Sequence, residues 1–210
     1  SAAKTRLIPF EFSTTQTYIL EFGNTYIRFF KDKGQILSGG SAYEISSPYL
    51  TAELFDIKFA QSADVMYITH PNHEVMKLSR TGHTSWTLAQ VDFTDGPYLA
   101  TNTTATTLTP ASAGVATGVN ITASAVTGIN GGAGFQTTDV GRIISFNGGK
   151  AKITSRTSTT VVVCSITTAF TNTNATAAFN LGAFSDTTGH PSCVSFFEQR
   201  LVFAGTTDEP

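Results

Sequence analysis

One short stretch of the sequence carries side chains that could perform acid–base chemistry. The segment "RTGHTSWTLAQVDFTD" contains His83, the chain's only tryptophan (Trp86), and the carboxylates Asp92 and Asp95. Ser85 would complete a Ser-His-Asp set, but such triads are defined by spatial geometry and not by closeness in sequence. The glycine and hydroxyl residues around His83 instead indicate a turn. We therefore expect His83 to hold this turn and Trp86 to anchor the next strand.

Two histidines three positions apart raise the question of a metal site. His70 and His73 flank Pro71-Asn72 between two β-type runs. On a helix this spacing would suit a metal ion, but a Pro-Asn pair between strands predicts the tip of a hairpin. No cysteine or third histidine lies nearby to complete a common zinc set. We expect both histidines in a solvated turn, and the sequence predicts no metal and no cofactor.

An acidic and a basic residue stand close together near the end of the chain. Glu198 and Arg200 are separated by one residue in "FFEQRLVF". On a strand they would share one face, and their apolar flanks favour an inter-strand ion pair that fixes the strand register more than it adds stability. Together with His83 and Trp86 they form the predicted structural seam, the set of residues expected to hold neighbouring strands in place.

Basic residues cluster at one place only. Lys150, Lys152 and Arg156 lie close together, and strand alternation puts the two lysines on one face. They form a candidate interaction surface for an anionic partner. The formal net charge of the chain is −2, and three cations fall short of the clustered charge that phosphate backbones require. The sequence therefore predicts no specific nucleic-acid partner.

The elements that must position these residues are predicted to be β-strands. Of the 210 residues 13% are charged and 40% hydrophobic, and 16 are Phe, which favours sheets with polar, uncharged outer faces. Short apolar runs separated by turn signals such as Gly23-Asn24 and Asn147-Gly148 predict antiparallel hairpins. Only residues 48–59 show helix-like spacing, with Thr51 as the N-cap. No apolar run approaches the ~20 residues of a membrane span.

The distribution of charge indicates an insertion. After Asp95 the next acidic or basic residue is Asp139, and the intervening sequence is rich in Thr. Strands are still predicted at 142–146, 149–155 and 160–166. We predict three segments: the first part of a β body over 1–100, an inserted small β-barrel-like domain over 101–183, and a return to the body over 184–210.

Two further expectations concern the ends and the cysteines. The sequence starts without an initiator Met and enters a strand almost at once, so we expect a piece of a longer protein. Cys164 and Cys193 lie in different kinds of sequence, and a chain of this length needs no disulfide. We expect two free, mostly buried thiols, although the sequence leaves open whether they pair.

Several segments resemble a family of phage and prophage virion proteins. These are the large tubular tail or nozzle proteins of short-tailed phages. The resemblance covers about 1–98 and 188–210, and its most specific parts are "QSADVMYITHP", "LSRTGHTSW" and "EQRLVFAGT". The segment "DVGRIISFNGGKAKITS" looks like a small β module inserted in many of these proteins, similar in outline to a half-domain of ubiquitin-activating enzymes. Such a likeness implies no ubiquitin chemistry, because fold alone carries no function.

The resemblance implies both an architecture and a role. It implies a β-propeller-like body of four-stranded blades, in which "DVMYITH", "EVMKLSR" and "SWTLAQVDF" are consecutive strands and "RLVFAG" starts the next blade. The expected fold is therefore all-β: an antiparallel meander or partial propeller interrupted by a barrel-like insert. The implied role is a non-catalytic structural component of a phage tail. Such a protein is made in the bacterial cytoplasm and located in the virion, where it binds other tail proteins as a ring of identical subunits.

Two other functions compete with this role. A carbohydrate-binding module would use exposed Asn, Thr and aromatic side chains to bind host-surface glycan. Against it, the only aromatic residues between 100 and 180 are four phenylalanines, a residue type that on strands usually lies in the core: Phe135, Phe146, Phe170 and Phe179. A tail-associated hydrolase would need paired carboxylates or a nucleophile with its base, and the acidic residues are scattered. We therefore predict that the chain is not an enzyme.

Overall fold

A computed structural model describes residues 4–13 and 16–206, and the described chain is all-β. The strands, in chain order, are β1 (Arg6–Ser13), β2 (Gln16–Gly23), β3 (Tyr26–Lys31), β4 (Gly34–Gln35), β5 (Leu37–Ser38), β6 (Ser41–Ala42), β7 (Glu44–Ser46), β8 (Lys58–Ser62), β9 (Val65–His70), β10 (His73–Gly82), β11 (Ser85–Gln90), β12 (Leu108–Pro110), β13 (Val119–Ala123), β14 (Ile143–Phe146), β15 (Gly149–Arg156), β16 (Val161–Thr168), β17 (Phe179–Leu181), β18 (Cys193–Phe197) and β19 (Arg200–Ala204). The only helical segments among the described residues are two 3-10 turns, Asn130–Gly132 and Thr137–Asp139. None of the described helices is long and apolar enough to span a membrane.

The chain divides into two compact units. The first combines residues up to Val91 with those from His190 onward, and the second runs from Asp92 to Gly189. These boundaries lie several residues away from the predicted ones, because the segments next to them hydrogen-bond within the second unit. The Leu99 backbone N–H, for example, donates to the Leu181 carbonyl oxygen at 2.9 Å.

The first unit contains two antiparallel sheets that share one core. One sheet has the order β1-β2-β3-β4, with β7 also paired to β3, and the other has the order β11-β10-β9-β8. Alternate residues of β1, β2 and β3 are buried, as expected where one face of a sheet packs inward. Both sheets contribute to the core, with Phe22 from the first and Ile68 from the second fully buried. The predicted antiparallel meander is confirmed, whereas the partial propeller stays a prediction.

A two-stranded ribbon formed by β18 and β19 also belongs to the first unit. Its strands pair from Cys193↔Ala204 to Phe197↔Arg200. The ring of Phe196 packs edge-on against Tyr67, with ring centroids 6.2 Å apart. Most of the ribbon's side chains are nevertheless exposed, and an isolated two-stranded ribbon is only marginally stable in water.

The segment predicted as a helix, residues 48–59, forms consecutive turns over 51–56 and then enters β8. The Glu53 N–H donates to the Leu50 carbonyl oxygen at 2.9 Å, and the Asp56 N–H donates to the Glu53 carbonyl oxygen at 3.0 Å. These bonds span three residues rather than four, so no α-helix forms. Leu54 and Ile57, whose spacing suggested the apolar face of a helix, are buried in the core from these turns instead. The helix prediction is therefore wrong.

The second unit is built on a single six-stranded antiparallel sheet. Its order is β12-β13-β16-β15-β14-β17, and the sheet curves around an apolar core. The predicted tight turn between β14 and β15 is confirmed, since Asn147 and Gly148 have φ values of 46° and 70°, as a two-residue hairpin turn requires. The sheet covers about half of a barrel, and the barrel-like inserted domain stays a prediction.

Candidate metal centre

His70 and His73 lie at the end of one hairpin in the first unit. His70 is the last residue of β9, His73 is the first residue of β10, and the two are register partners across the turn. Their ring centroids are 5.0 Å apart. The Pro71 carbonyl oxygen accepts a hydrogen bond from the backbone N–H of His190 at 3.0 Å. This hydrogen bond connects the hairpin turn to a segment that comes much later in the sequence.

The turns between β7 and β8 bring a carboxylate to these histidines. Glu53 Oε2 accepts a hydrogen bond from the Leu50 backbone N–H at 2.9 Å and lies 2.8 Å from His73 Nε2. Arg6 of β1 donates from Nη1 to the carbonyl oxygens of Leu54 and Ile57 at 2.8 and 2.7 Å. The loop that carries Glu53 is thus held at both ends by buried apolar side chains and by hydrogen bonds.

These three residues form one compact group of potential ligands. One carboxylate oxygen of Glu53 and one ring nitrogen from each of His70 and His73 all lie within 4.8 Å of one another. Tyr49 packs against both imidazoles, with centroid distances of 6.1 Å to His70 and 5.3 Å to His73. The group therefore has a polar centre and an aromatic wall.

Burial distinguishes this group from an ordinary surface cluster. His70 is only 1% exposed, and the side chains of His73 and Glu53 are 22% and 18% exposed. The expectation of a solvated turn is therefore wrong for His70. His70 Nδ1 accepts a hydrogen bond from the Asn72 backbone N–H at 3.1 Å, while Nε2 is buried and has no hydrogen-bond partner among the described residues. The hydroxyl of Tyr49 is also buried and has no hydrogen-bond partner among the described residues.

The local electrostatics keep His70 neutral and Glu53 charged. Burial lowers the pKa of His70, and the neighbouring His73 lowers it further, although Glu53 and Asp56 act in the opposite direction. Burial alone would raise the pKa of Glu53, but the hydrogen bonds from the Leu50 N–H and from His73 lower it overall. A neutral imidazole and an ionised carboxylate are the forms in which these side chains bind metal ions.

The donor set has a recognisable chemistry. Two imidazoles and one carboxylate bind zinc in several classes of enzyme and leave a further coordination position open. Imidazole nitrogen also suits other divalent transition ions, whereas calcium and magnesium prefer oxygen ligands. The residues therefore fit a transition-metal ion better than an alkaline-earth ion.

The sequence analysis missed Glu53 as a partner of the two histidines. Glu53 precedes His70 by 17 residues and lies in a segment predicted as a helix, so nothing local connects them. One feature of the sequence could have drawn attention to Glu53. Charged residues are few in this chain, and Glu53 nevertheless lies at the centre of the apolar segment "PYLTAELFDIKF".

The structure brings together two of the four residues of the predicted structural seam. Trp86 is buried and stacks on Phe29 with a centroid distance of 4.4 Å. Its Nε1 donates to the His83 carbonyl oxygen at 3.1 Å. The His83 ring itself is exposed, and its Nδ1 lies 2.8 Å from the Tyr18 hydroxyl. Its ring therefore contacts a side chain of β2.

Glu198 and Arg200, the other two seam residues, lie at the exposed tip of the ribbon. Glu198 is in the turn with φ 46°, so it does not share a strand face with Arg200, the first residue of β19. Neither side chain forms an ion pair with any residue in the described part of the chain. The prediction of an inter-strand ion pair is wrong, because the sequence "EQR" forms the turn itself.

The residues of the candidate interaction surface all have partners within the second unit. Lys150 Nζ lies 2.5 Å from Asp95 Oδ2, and Lys152 Nζ lies 2.8 Å from Asp92 Oδ1. Arg156 Nε donates to the Phe135 carbonyl oxygen at 2.7 Å. The carboxylates considered beside His83 for acid–base chemistry thus neutralise lysines instead. The hydrogen bond from Lys150, followed by that from Tyr98, lowers the pKa of Asp95.

The two cysteines are free thiols in different surroundings. Cys164 is buried in the core of the second unit, and Cys193 is exposed at the start of β18. The expectation of free thiols is confirmed, whereas the expectation that both are mostly buried is wrong for Cys193.

No protein-family model matches the chain, and no significant match exists among curated proteins.

Proposed function

We propose that the chain is a non-catalytic structural component of a phage or prophage tail, which associates with copies of itself and with neighbouring tail proteins in the virion. The proposal starts from the resemblance of "QSADVMYITHP", "LSRTGHTSW" and "EQRLVFAGT" to tail proteins of short-tailed phages. The all-β architecture is compatible with a propeller-like body, because four-stranded antiparallel sheets are the units from which propellers are built.

The observation that carries the proposal is the apolar surface of the ribbon. Phe197 is 66% exposed, and Phe196 and Val202 are also exposed. Exposed aromatic residues that cluster on one element mark protein contacts more often than single scattered apolar residues do. The strand β18 also has one edge without a paired strand among the described residues, since β18 and β19 form a sheet of two strands. Such an edge can accept a further strand.

The glycan-binding alternative has weaker support. The four phenylalanines between residues 100 and 180 are buried in the core of the second unit. Their rings are therefore not available to stack on a sugar. An isolated unit that bound to a glycan array would nevertheless support this alternative.

The association of the chain can be tested by light scattering with a single substitution. We expect the molar mass of the purified chain to rise above the monomer value of 22.3 kDa with concentration. Phe197→Ser should weaken this association at least ~10-fold, because an aromatic residue at the centre of a contact often contributes more than 1.4 kcal/mol. Negative-stain images of the associated peak would then show whether it forms a ring.

Phe55→Ser is the matched control. Phe55 is 62% exposed, nearly as much as Phe197, but it lies in the loop between β7 and β8. Equal effects of the two substitutions would argue against a specific contact at the ribbon. Mass spectrometry of particles induced from the source bacterium tests the location directly. Failure to find this chain among detected tail proteins would contradict the proposal.

A further inference from the structure

We propose that Glu53, His70 and His73 bind a divalent transition-metal ion, zinc in the first instance, which joins the loop between β7 and β8 to the hairpin of β9 and β10. This proposal depends only on contacts inside the first unit. A test of metal binding is therefore independent of the proposed role in a phage tail.

The donor atoms are close to the separation that a zinc ion requires. Around a tetrahedral ion with bonds of about 2.0–2.2 Å, neighbouring ligand atoms lie roughly 3.4 Å apart. Here the three potential ligand atoms lie within 4.8 Å of one another, and the closest pair, Glu53 Oε2 and His73 Nε2, is 2.8 Å apart. Binding thus requires changes of up to about 1.4 Å in the separations between side chains that are already grouped.

A second observation points to a ligand at this group. Buried polar atoms are nearly always hydrogen-bonded, because an unpaired one loses its interactions with water. His70 is 1% exposed, yet its Nε2 has no partner among the described residues. Coordination of a metal ion would satisfy this nitrogen. The neighbouring Tyr49 hydroxyl, which is also unpartnered, provides a further polar atom beside the histidine rings.

Neighbouring contacts hold the loop and the hairpin that carry the three potential ligands. Glu53 is held by the Leu50 N–H, and the Arg6 guanidinium fixes the next two buried positions of its loop. His70 and His73 are placed by strand register on either side of a two-residue turn. Sites whose ligands are locked by neighbouring contacts bind metal ions better than sites on unrestrained loops.

Coordination through His70 Nε2 has one structural consequence. In the metal-free chain Nδ1 accepts a hydrogen bond from the Asn72 N–H, so the proton of the neutral ring is on Nε2. A metal ion at Nε2 moves that proton to Nδ1, where it faces another N–H. The Asn72 contact must therefore open, and the turn between β9 and β10 must adjust.

The test is a titration of the chelator-treated protein with zinc chloride, followed by calorimetry. We expect one zinc ion per chain and a rise in melting temperature. Glu53→Gln and His73→Gln should each weaken binding by about 100-fold or more, since even residues that only support a ligand contribute 10–100-fold. Both side chains are partly exposed, so these variants are expected to fold, which circular dichroism would verify. Cobalt chloride provides an absorption spectrum that reports the ligand geometry.

His83→Gln is the matched control, because His83 is a histidine of the same unit that lies outside the group. Zinc should bind this variant as it binds the unaltered chain. In nuclear magnetic resonance spectra the Asn72 amide signal should shift on saturation with zinc. Absence of zinc binding, or equal binding by all three variants, would overturn the proposal. Binding that leaves the Asn72 amide unchanged would overturn coordination through Nε2.

Discussion

Two buried side chains, Asp139 in the second unit and His70 in the first, differ in how many of their polar atoms have hydrogen-bond partners. In the second unit Asp139 and Arg142 form an ion pair of 2.9 Å with almost no exposure. Both carboxylate oxygens of Asp139 have donors: Oδ1 accepts from Arg142, and Oδ2 accepts from Asn130 and from the Gln136 backbone N–H. In the first unit the buried His70 has an unpartnered ring nitrogen.

The contrast separates a structural polar cluster from a candidate binding site. A buried charge whose hydrogen-bonding capacity is met inside the protein stabilises one local arrangement and has no need of a ligand. A buried donor or acceptor without a partner costs free energy unless something else satisfies it. Asp139 belongs to the first kind and His70 to the second. The expected effect on stability decreases from Asp139 through Cys164 to His70.

Removal of the buried carboxylate should have the largest effect. We expect Asp139→Ala to lower the free energy of unfolding of the second unit by about 3–5 kcal/mol, because Arg142 would remain buried without its counter-charge. Urea unfolding followed by fluorescence or circular dichroism measures the change. The control is Asp92→Ala, which removes an exposed pair with Lys152 and should cost less than ~1 kcal/mol. Similar losses in the two variants would contradict the structural role of Asp139.

The buried thiol should make the second unit sensitive to alkaline pH. Burial raises the pKa of Cys164 from its ordinary value of 9.0 to about 12. Above pH 9 the unfolded chain therefore loses a proton that the folded chain keeps, and stability falls as pH rises. The expected loss is on the order of 1 kcal/mol at pH 10, measured as the difference between the unaltered chain and Cys164→Val.

Thiol reactivity provides an independent check on the same residue. At pH 8 a water-soluble disulfide reagent should modify one thiol of the folded chain, the exposed Cys193. Cys164 should react only in denaturant, because the thiolate is the reactive form. Rapid modification of both thiols in the folded chain would show that Cys164 is accessible.

Replacement of His70, whose Nε2 has no hydrogen-bond partner among the described residues, should have the smallest effect. We expect His70→Phe to change the stability of the metal-free first unit by less than ~1 kcal/mol in either direction, because a ring of similar size removes the unsatisfied nitrogen. The Asn72 N–H that loses its acceptor is on an exposed residue, where water can reach it. Urea unfolding with a chelator present measures the effect. A loss as large as that of Asp139→Ala would show that His70 stabilises the unit without a ligand.

Much of the fold could be predicted because strands and turns are encoded locally. The runs 142–146, 149–155 and 160–166 correspond to β14, β15 and β16, and the turn at Asn147-Gly148 connects β14 to β15 as expected. The turn predicted at Gly23-Asn24 lies one residue further along, because Gly23 belongs to β2 and Thr25 has the positive φ of 64°. Alternation of apolar residues and the tolerance of Asn and Gly for positive φ are properties of a few adjacent residues. The failed predictions at 48–59 and at Glu198 concern short segments whose conformation depends on packing.

The sequence by itself determined the fold class, the hairpin that places His70 beside His73, and the low charge of the chain. Only the tertiary structure decided that Glu53 meets the two histidines and that Asp139 is buried with Arg142. The strand pattern follows from side chains two residues apart. A buried polar cluster instead depends on which loop is folded over which hairpin, and on whether water is excluded there. Those features arise from contacts across long stretches of chain, which no local pattern specifies.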